Sequence, residues 1–173
     1  KGTYSEKQMP AFNLNMVVKD AMFKYPELPT AINNINLDLL VDNKDGIIDH
    51  TTIDLKKLHL DFGANPVDAR ARITALYPTN LDAEISAALN LAEVDKMFPL
   101  EGLDMKGNYA LNLKAQGVYD SIKGSIPAIN AAMSLADGYV KSSGFPVPIE
   151  DIHFSSTVKN TSGKMAETVL AVN

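Results

Sequence analysis

From Asn80 to Leu91 the chain reads NLDAEISAALNL, and that stretch permits little besides a β-strand. Leu81, Ala83, Ile85, Ala87, Leu89 and Leu91 fall at every second position, with Asp82, Glu84, Ser86 and Asn90 between them. Successive side chains of an extended chain point to opposite faces, so this spacing makes one dry face and one wet face. A helix would scatter the same residues around its circumference. The preceding VDARARITA alternates in the same way, with Val67, Ala69, Ala71, Ile73 and Ala75 against Asp68, Arg70, Arg72 and Thr74. Between the two lies LYPTN, whose Pro78 cannot donate to a ladder and so marks a turn. The two segments read as an antiparallel hairpin. With LYPTN as its loop, Ala75 faces Leu81 and Arg72 faces Glu84.

The same period recurs along the chain. Phe12, Leu14, Met16 and Val18 alternate early, and Ile35, Leu37, Leu39 and Val41 follow a break at Pro26 and Pro29. Ile53 and Leu55 keep the phase, but after Lys57 the apolar parity moves to Leu58, Leu60 and Phe62. A slip of one residue flips the faces, so a bulge near Lys56–Leu58 or two separate strands is expected. GANP, Gly63 to Pro66, is the next turn. Tyr109, Leu111, Leu113 and Ala115, then Ile129, Ala131 and Met133, continue the series. Only Leu91–Phe98 reads as helix, with Asn90 as its N-cap and Pro99 closing it. Strand after strand with one short helix predicts an all-β, mainly antiparallel fold. Residues 1–11 read as an N-terminal tail and 12–173 as a single β domain.

Composition narrows the function. The net charge of −5, without a basic stripe, argues against nucleic acid or an anionic membrane surface as partner. It does not argue against lipid held in an apolar groove. The absence of cysteine excludes disulfides, thiolate metal sites and cysteine nucleophiles. The opening KGTYSEKQMP has no initiator methionine and no apolar signal-peptide core, so the chain reads as a piece of something longer.

Motifs that carry chemistry are missing. His50, His59 and His153 form no HExxH and no pair at helical spacing. No nucleophile elbow, P-loop or dinucleotide fingerprint occurs. VDNKDGIIDHTT (Val41–Thr52) resembles a calcium loop at Asn43, Asp45 and Gly46. It has Val41 and Thr52 where the first carboxylate and the bidentate glutamate belong, and so reads as an acidic hairpin turn. No catalytic residue, metal site or cofactor is therefore assigned, and the chain is read as a non-enzyme. The small residues Ala69, Ala71, Ala75, Ala83 and Ala87 leave space above the central hairpin. Either the Leu91–Phe98 helix fills it or acyl chains do. On the second reading the groove is lined by Ala71, Ile73, Leu81, Ala83 and Ile85, extended by Leu111 and Leu113.

Two distant stretches also match. LPTAINNINLDLLVDNKDG (Leu28–Gly46) returns as FPVPIEDIHFSSTVKNTSG (Phe145–Gly163), with Pro29, Ile32, Ile35, Val41, Asn43 and Gly46 recurring 117 positions later (160 − 43). Asp20 with Asp137, Lys24 with Lys141 and Thr51 with Thr168 extend the match. An internal repeat over about 20–51 and 137–168 is expected, as suits a stacked, elongated sheet.

YPELPTAINNINLDLLVDNKDG, LDMKGNYALNLKAQGVYD (Leu103–Asp120) and LADGYVKSSGFPVPIEDIHFSSTVKN (Leu135–Asn160) resemble the C-terminal region of the AsmA family. Those are bacterial envelope proteins related to TamB and similar to the repeating β-groove lipid transporters. The resemblance runs from about Phe12 onward. It implies an elongated sheet curled into a groove or half-barrel, with an apolar concave face, and a role in outer-membrane assembly or lipid homeostasis. It also implies the periplasm of a Gram-negative bacterium, with a membrane-anchored parent protein. The family has no agreed catalytic motif to carry over. The partners it implies are lipid and neighbouring segments of a longer parent chain. The alternative is a structural β-module with no ligand of its own, whose sheet edges pair with such segments.

Overall fold

A computed structural model describes residues 10–24, 26 and 31–173; the expected tail over 1–9 and the repeat position at Pro29 lie outside these. Nine strands form one sheet: β1 Phe12–Phe23, β2 Ile32–Asn43, β3 Thr52–Phe62, β4 Asn65–Leu76, β5 Thr79–Asn90, β6 Leu103–Tyr119, β7 Ala128–Ser142, β8 Ile149–Asn160 and β9 Val169–Val172. The spatial order is the chain order, and every neighbouring pair is antiparallel. Consecutive period-two segments joined by short connections give this meander, because antiparallel neighbours need only a few linking residues. Strands and bridges make up 70% of the described residues, and the sheet curls without closing, an all-β groove or half-barrel.

One α-helix, α1 Leu91–Met97, occurs among the described residues. Asn90 caps it: the Glu93 N–H donates to Asn90 Oδ1 at 3.2 Å. Phe98 turns edge-on to Phe62 with ring centroids 5.8 Å apart, so the helix sits at the Phe62 end of the sheet, against β6 and β5.

The parity change in β3 is a bulge inside one continuous strand. Leu39 pairs with Leu55 but Asp38 with Lys57, leaving Lys56 extra on the β2 side. Across β4, Leu55 pairs with Ala71 and Leu58 with Ala69, which brings the shifted leucines back to the dry face.

The central hairpin corrects the expected register. Its turn is Tyr77-Pro78 alone, not the five residues of LYPTN, and Leu76 pairs with Thr79. A bulge between Ile73 and Ala75 absorbs one further residue. Ile73 therefore faces Leu81, Arg72 faces Asp82 and Arg70 faces Glu84. The expected Ala75–Leu81 and Arg72–Glu84 pairs are each displaced by two. The displacement is even, so dry face still meets dry face.

Where both are described, the two matched stretches have the same conformation. Asn43 donates from Nδ2 to the Ile47 carbonyl (2.7 Å) and to Thr51 Oγ1 (2.9 Å), and its Oδ1 accepts from Gly46 N–H (2.6 Å). Asn160 does the same with the Lys164 carbonyl (2.7 Å), Thr168 Oγ1 (2.8 Å) and Gly163 N–H (2.8 Å). Gly46 and Gly163 have φ of 82° and 77°, a region open to glycine. A 3₁₀ turn follows each, Ile48–His50 and Met165–Glu167. Among the described residues, the non-glycine positions with positive φ are Asp20 (48°), Asn34 (51°), Asp137 (52°) and Asp151 (53°), two pairs with the same 117-residue offset. Registers agree too: Val18↔Leu37, Ala21↔Ile35 and Phe23↔Ile32 correspond to Leu135↔Phe154, Gly138↔Ile152 and Val140↔Ile149. Val41↔Ile53 corresponds to Val158↔Leu170. Thus β7, β8 and β9 repeat β1, β2 and the start of β3.

Candidate functional site

The dry phases of all nine strands fall on one face. Val18, Leu37, Leu58, Ala69, Ile85, Leu113, Ala131, Val158 and Leu170 are successive cross-strand partners, an apolar row from β1 to β9. A parallel row holds Met16, Leu39, Leu55, Ala71, Ala83, Ala115 and Ile129. A third holds Leu14, Val41, Ile53, Ile73 and Leu81.

The residues singled out in the sequence sit within these rows on three adjacent strands. Ile73 pairs with Leu81, Ala71 with Ala83, and Ile85 with Leu113. Leu111 lies one row further on, opposite Ala87. Sequence reasoning missed that Leu58, Ala131 and Val158 carry the same surface into β3, β7 and β8. Each strand announced its own alternation, but membership of one row depends on strand order and register.

Burial on this face is shallow. Among the described residues only Met97 (1% exposed) and Ala131 (3%) are buried hydrophobic side chains, and Ile85 keeps 38% of its surface. The helix does not extend over Ala71 and Ala83. Ala83 lies seven residues from Asn90 along β5, about 23 Å at strand rise, whereas a seven-residue helix spans only about 10 Å. A cavity of about 320 Å³ opens where Leu58, Ala69, Ile85 and Leu113 adjoin Lys56, Arg70, Glu84 and Lys114.

The wet phase of β4–β6 carries a charge ladder. Arg70 reaches Asp82 Oδ1 at 3.1 Å and Glu84 Oε1 at 2.8 Å, and Lys114 Nζ meets the same Glu84 oxygen at 3.1 Å. Hydrogen bonds from Arg70 and then Lys114 pull the Glu84 carboxyl down to about 2, and the bond to Glu84 raises Arg70. These groups are solvated, so they fix register more than they stabilise.

The remaining polar residues are committed locally. Asp45 accepts from Ile47 N–H (3.0 Å) and bonds His50 Nδ1 (2.6 Å), which lowers its pKa. With Asn43 turned inward as well, the calcium-like stretch is a self-bonded turn. His59 lies between Asp68 (2.7 Å) and Asp61 (3.5 Å), and His153 is exposed on β8. Among the described residues no three His, Cys, Asp or Glu side chains are grouped to hold a metal ion, and no helix is long and apolar enough to cross a membrane. No family model, curated protein or solved structure matches the chain.

Proposed function

We propose that this sheet is a non-enzymatic groove segment of an envelope protein, which binds or guides lipid along its dry face in outer-membrane assembly or lipid homeostasis. The observation that carries this reading is an apolar row nine strands wide with almost no buried hydrophobic residue beneath it. A globular sheet normally buries its dry face under a second layer. Here one seven-residue helix is the only α-helix among the described residues. Contiguous apolar surface beyond about 300–600 Å² marks a binding site on a soluble protein. Acyl chains suit such a trough, because they need apolar contact and no fixed polar partner. The envelope and periplasmic setting rests on the resemblance of Tyr25–Gly46, Leu103–Asp120 and Leu135–Asn160 to the AsmA family.

The test is lipid extraction and mass spectrometry of gently purified protein, combined with a photo-crosslinking residue at Ala87 in chains with and without Ile85→Asp. Lipid should co-purify and label at Ala87. Ile85→Asp should stay folded, since the new carboxylate keeps access to water, and should lose the label. If Ile85→Asp unfolds, as a buried unpaired charge requires, and no lipid co-purifies, the groove reading is lost.

The second reading, a structural module without ligand, is favoured by one specific observation. The sheet ends in β1 and β9, each paired on one side only among the described residues.

A further inference from the structure

The internal repeat assigns a partner to one of those edges. β7 is the counterpart of β1 in register, left-handed corners and the turn beyond the following strand. Unlike β1, β7 is paired on both sides, and its second neighbour is β6. Leu113 faces Ala131, Leu111 faces Met133 and Tyr109 faces Leu135. Moved back by the repeat offset, those three partners are Leu14, Met16 and Val18. All three stand on the dry phase of β1, and Leu14 (46%) and Met16 (41%) are among its exposed side chains.

We propose that the free edge of β1 docks an antiparallel polypeptide strand of β6 type, in the register that β6 takes on β7. Such a strand has leucine or an aromatic residue at every second position and asparagine or lysine between. It sets its counterparts of Leu113, Leu111 and Tyr109 beside Leu14, Met16 and Val18, so the apolar rows continue without a step. Its counterparts of Lys114 and Asn112 fall beside Asn13 and Asn15 on the wet face. Backbone pairing supplies the adhesion and the alternating side chains the register. A second copy of this chain fits less well. Among the described residues its free edges are β1 and β9, and β9 corresponds to the start of β3, whose outer neighbour is β4. A β9–β1 junction therefore has no counterpart inside the molecule. The inference deepens the edge-pairing reading and is independent of whether lipid binds.

The chain has no cysteine, so Leu14→Cys creates a single thiol at the exposed edge. The probes are synthetic peptides with the sequence of Leu103–Tyr119, one carrying Leu113→Cys and one Leu103→Cys. Directly opposed residues lie about 4.5–5.5 Å apart at Cβ, close enough for a disulfide after slight adjustment. Under mild oxidation the Leu113→Cys peptide should cross-link at least roughly tenfold faster, because pairing holds its sulfur in place. In the unmodified protein, the unsubstituted peptide should slow amide exchange along β1, whereas a peptide of Asn65–Leu76 should leave β1 unchanged. Equal cross-linking rates, absence of adduct, or equal protection of β1 by both peptides would overturn the proposal.

Discussion

Asn43 and Asn160 hold the two long corners of the sheet, each with a side chain 1% exposed and three hydrogen bonds. Asparagine is suited to this place because one amide offers two donors and an acceptor on a short stem. The oxygen holds the glycine N–H three residues on, and the nitrogen spans to the threonine just before the next strand. The recurrence of threonine at Thr51 and Thr168 follows, since each hydroxyl is the far end of that span. Alanine at Asn43 leaves the Ile47 carbonyl and the buried Thr51 hydroxyl without this donor and frees the turn. Asn43→Ala should cost roughly 2–4 kcal/mol in urea denaturation. Asn160→Ala should cost less, because the strand it leads into, β9, is only four residues long. The Asn-x-x-Gly turn was legible in the sequence, as was its duplication. The inward-facing amide was not, because an i to i+8 contact exists only once the 3₁₀ turn has brought the threonine back.

Pairs of elements carry information that single strands lack. β4 and β5 each announced their two faces, yet their register came out two residues away from the loop count. Loop length alone does not fix register when a bulge sits beside the turn, and nothing in the residues around Thr74 marks the bulge. The face assignment survived, so acids and bases still meet, with Arg70 in the place expected for Arg72. That arrangement gives the β4–β5–β6 ladder a definite pH response. The Glu84 carboxyl titrates near 4.5 when unpaired and is held at about 2 in the folded sheet. A depressed pKa means that its contribution to stability is present above the unpaired value and is lost as the pH falls from about 4.5 towards 2. A carboxyl-detected NMR titration should find Glu84 still ionised at pH 3. Glu84→Gln should flatten the stability profile over the same interval by removing the contribution present above it, so that the variant falls below the unmodified protein near neutrality and approaches it at the acid end. A Glu84 midpoint at its ordinary value would remove the ladder as an account of register in the central strands.

At the scale of the whole molecule the decisive quantity is how little is buried. Period-two spacing in seven of the nine strands announced an all-β sheet with one apolar face and left no second amphipathic layer to cover it. What it withheld was whether the sheet closes on itself, because closure depends on curl and pairing summed over every strand. Nine strands at about 4.8 Å spacing measure roughly 40 Å around the curl, and the two edge strands do not meet. The row of Ala71, Ala83 and Ala115 tests whether the face so formed is a trough or a core. In a packed interior, an added aromatic ring forces neighbours aside and typically costs about 1–3 kcal/mol. In an open trough the ring stands in free space, and the change in stability should stay within about 0.5 kcal/mol. The ring would still lie across the path of a bound chain. Ala83→Phe should therefore unfold at nearly the same urea concentration as the unmodified protein, yet bind a fluorescent fatty acid several-fold more weakly. A large loss of stability would mean that the alanine row is sealed, and lipid would then have no continuous route past β5.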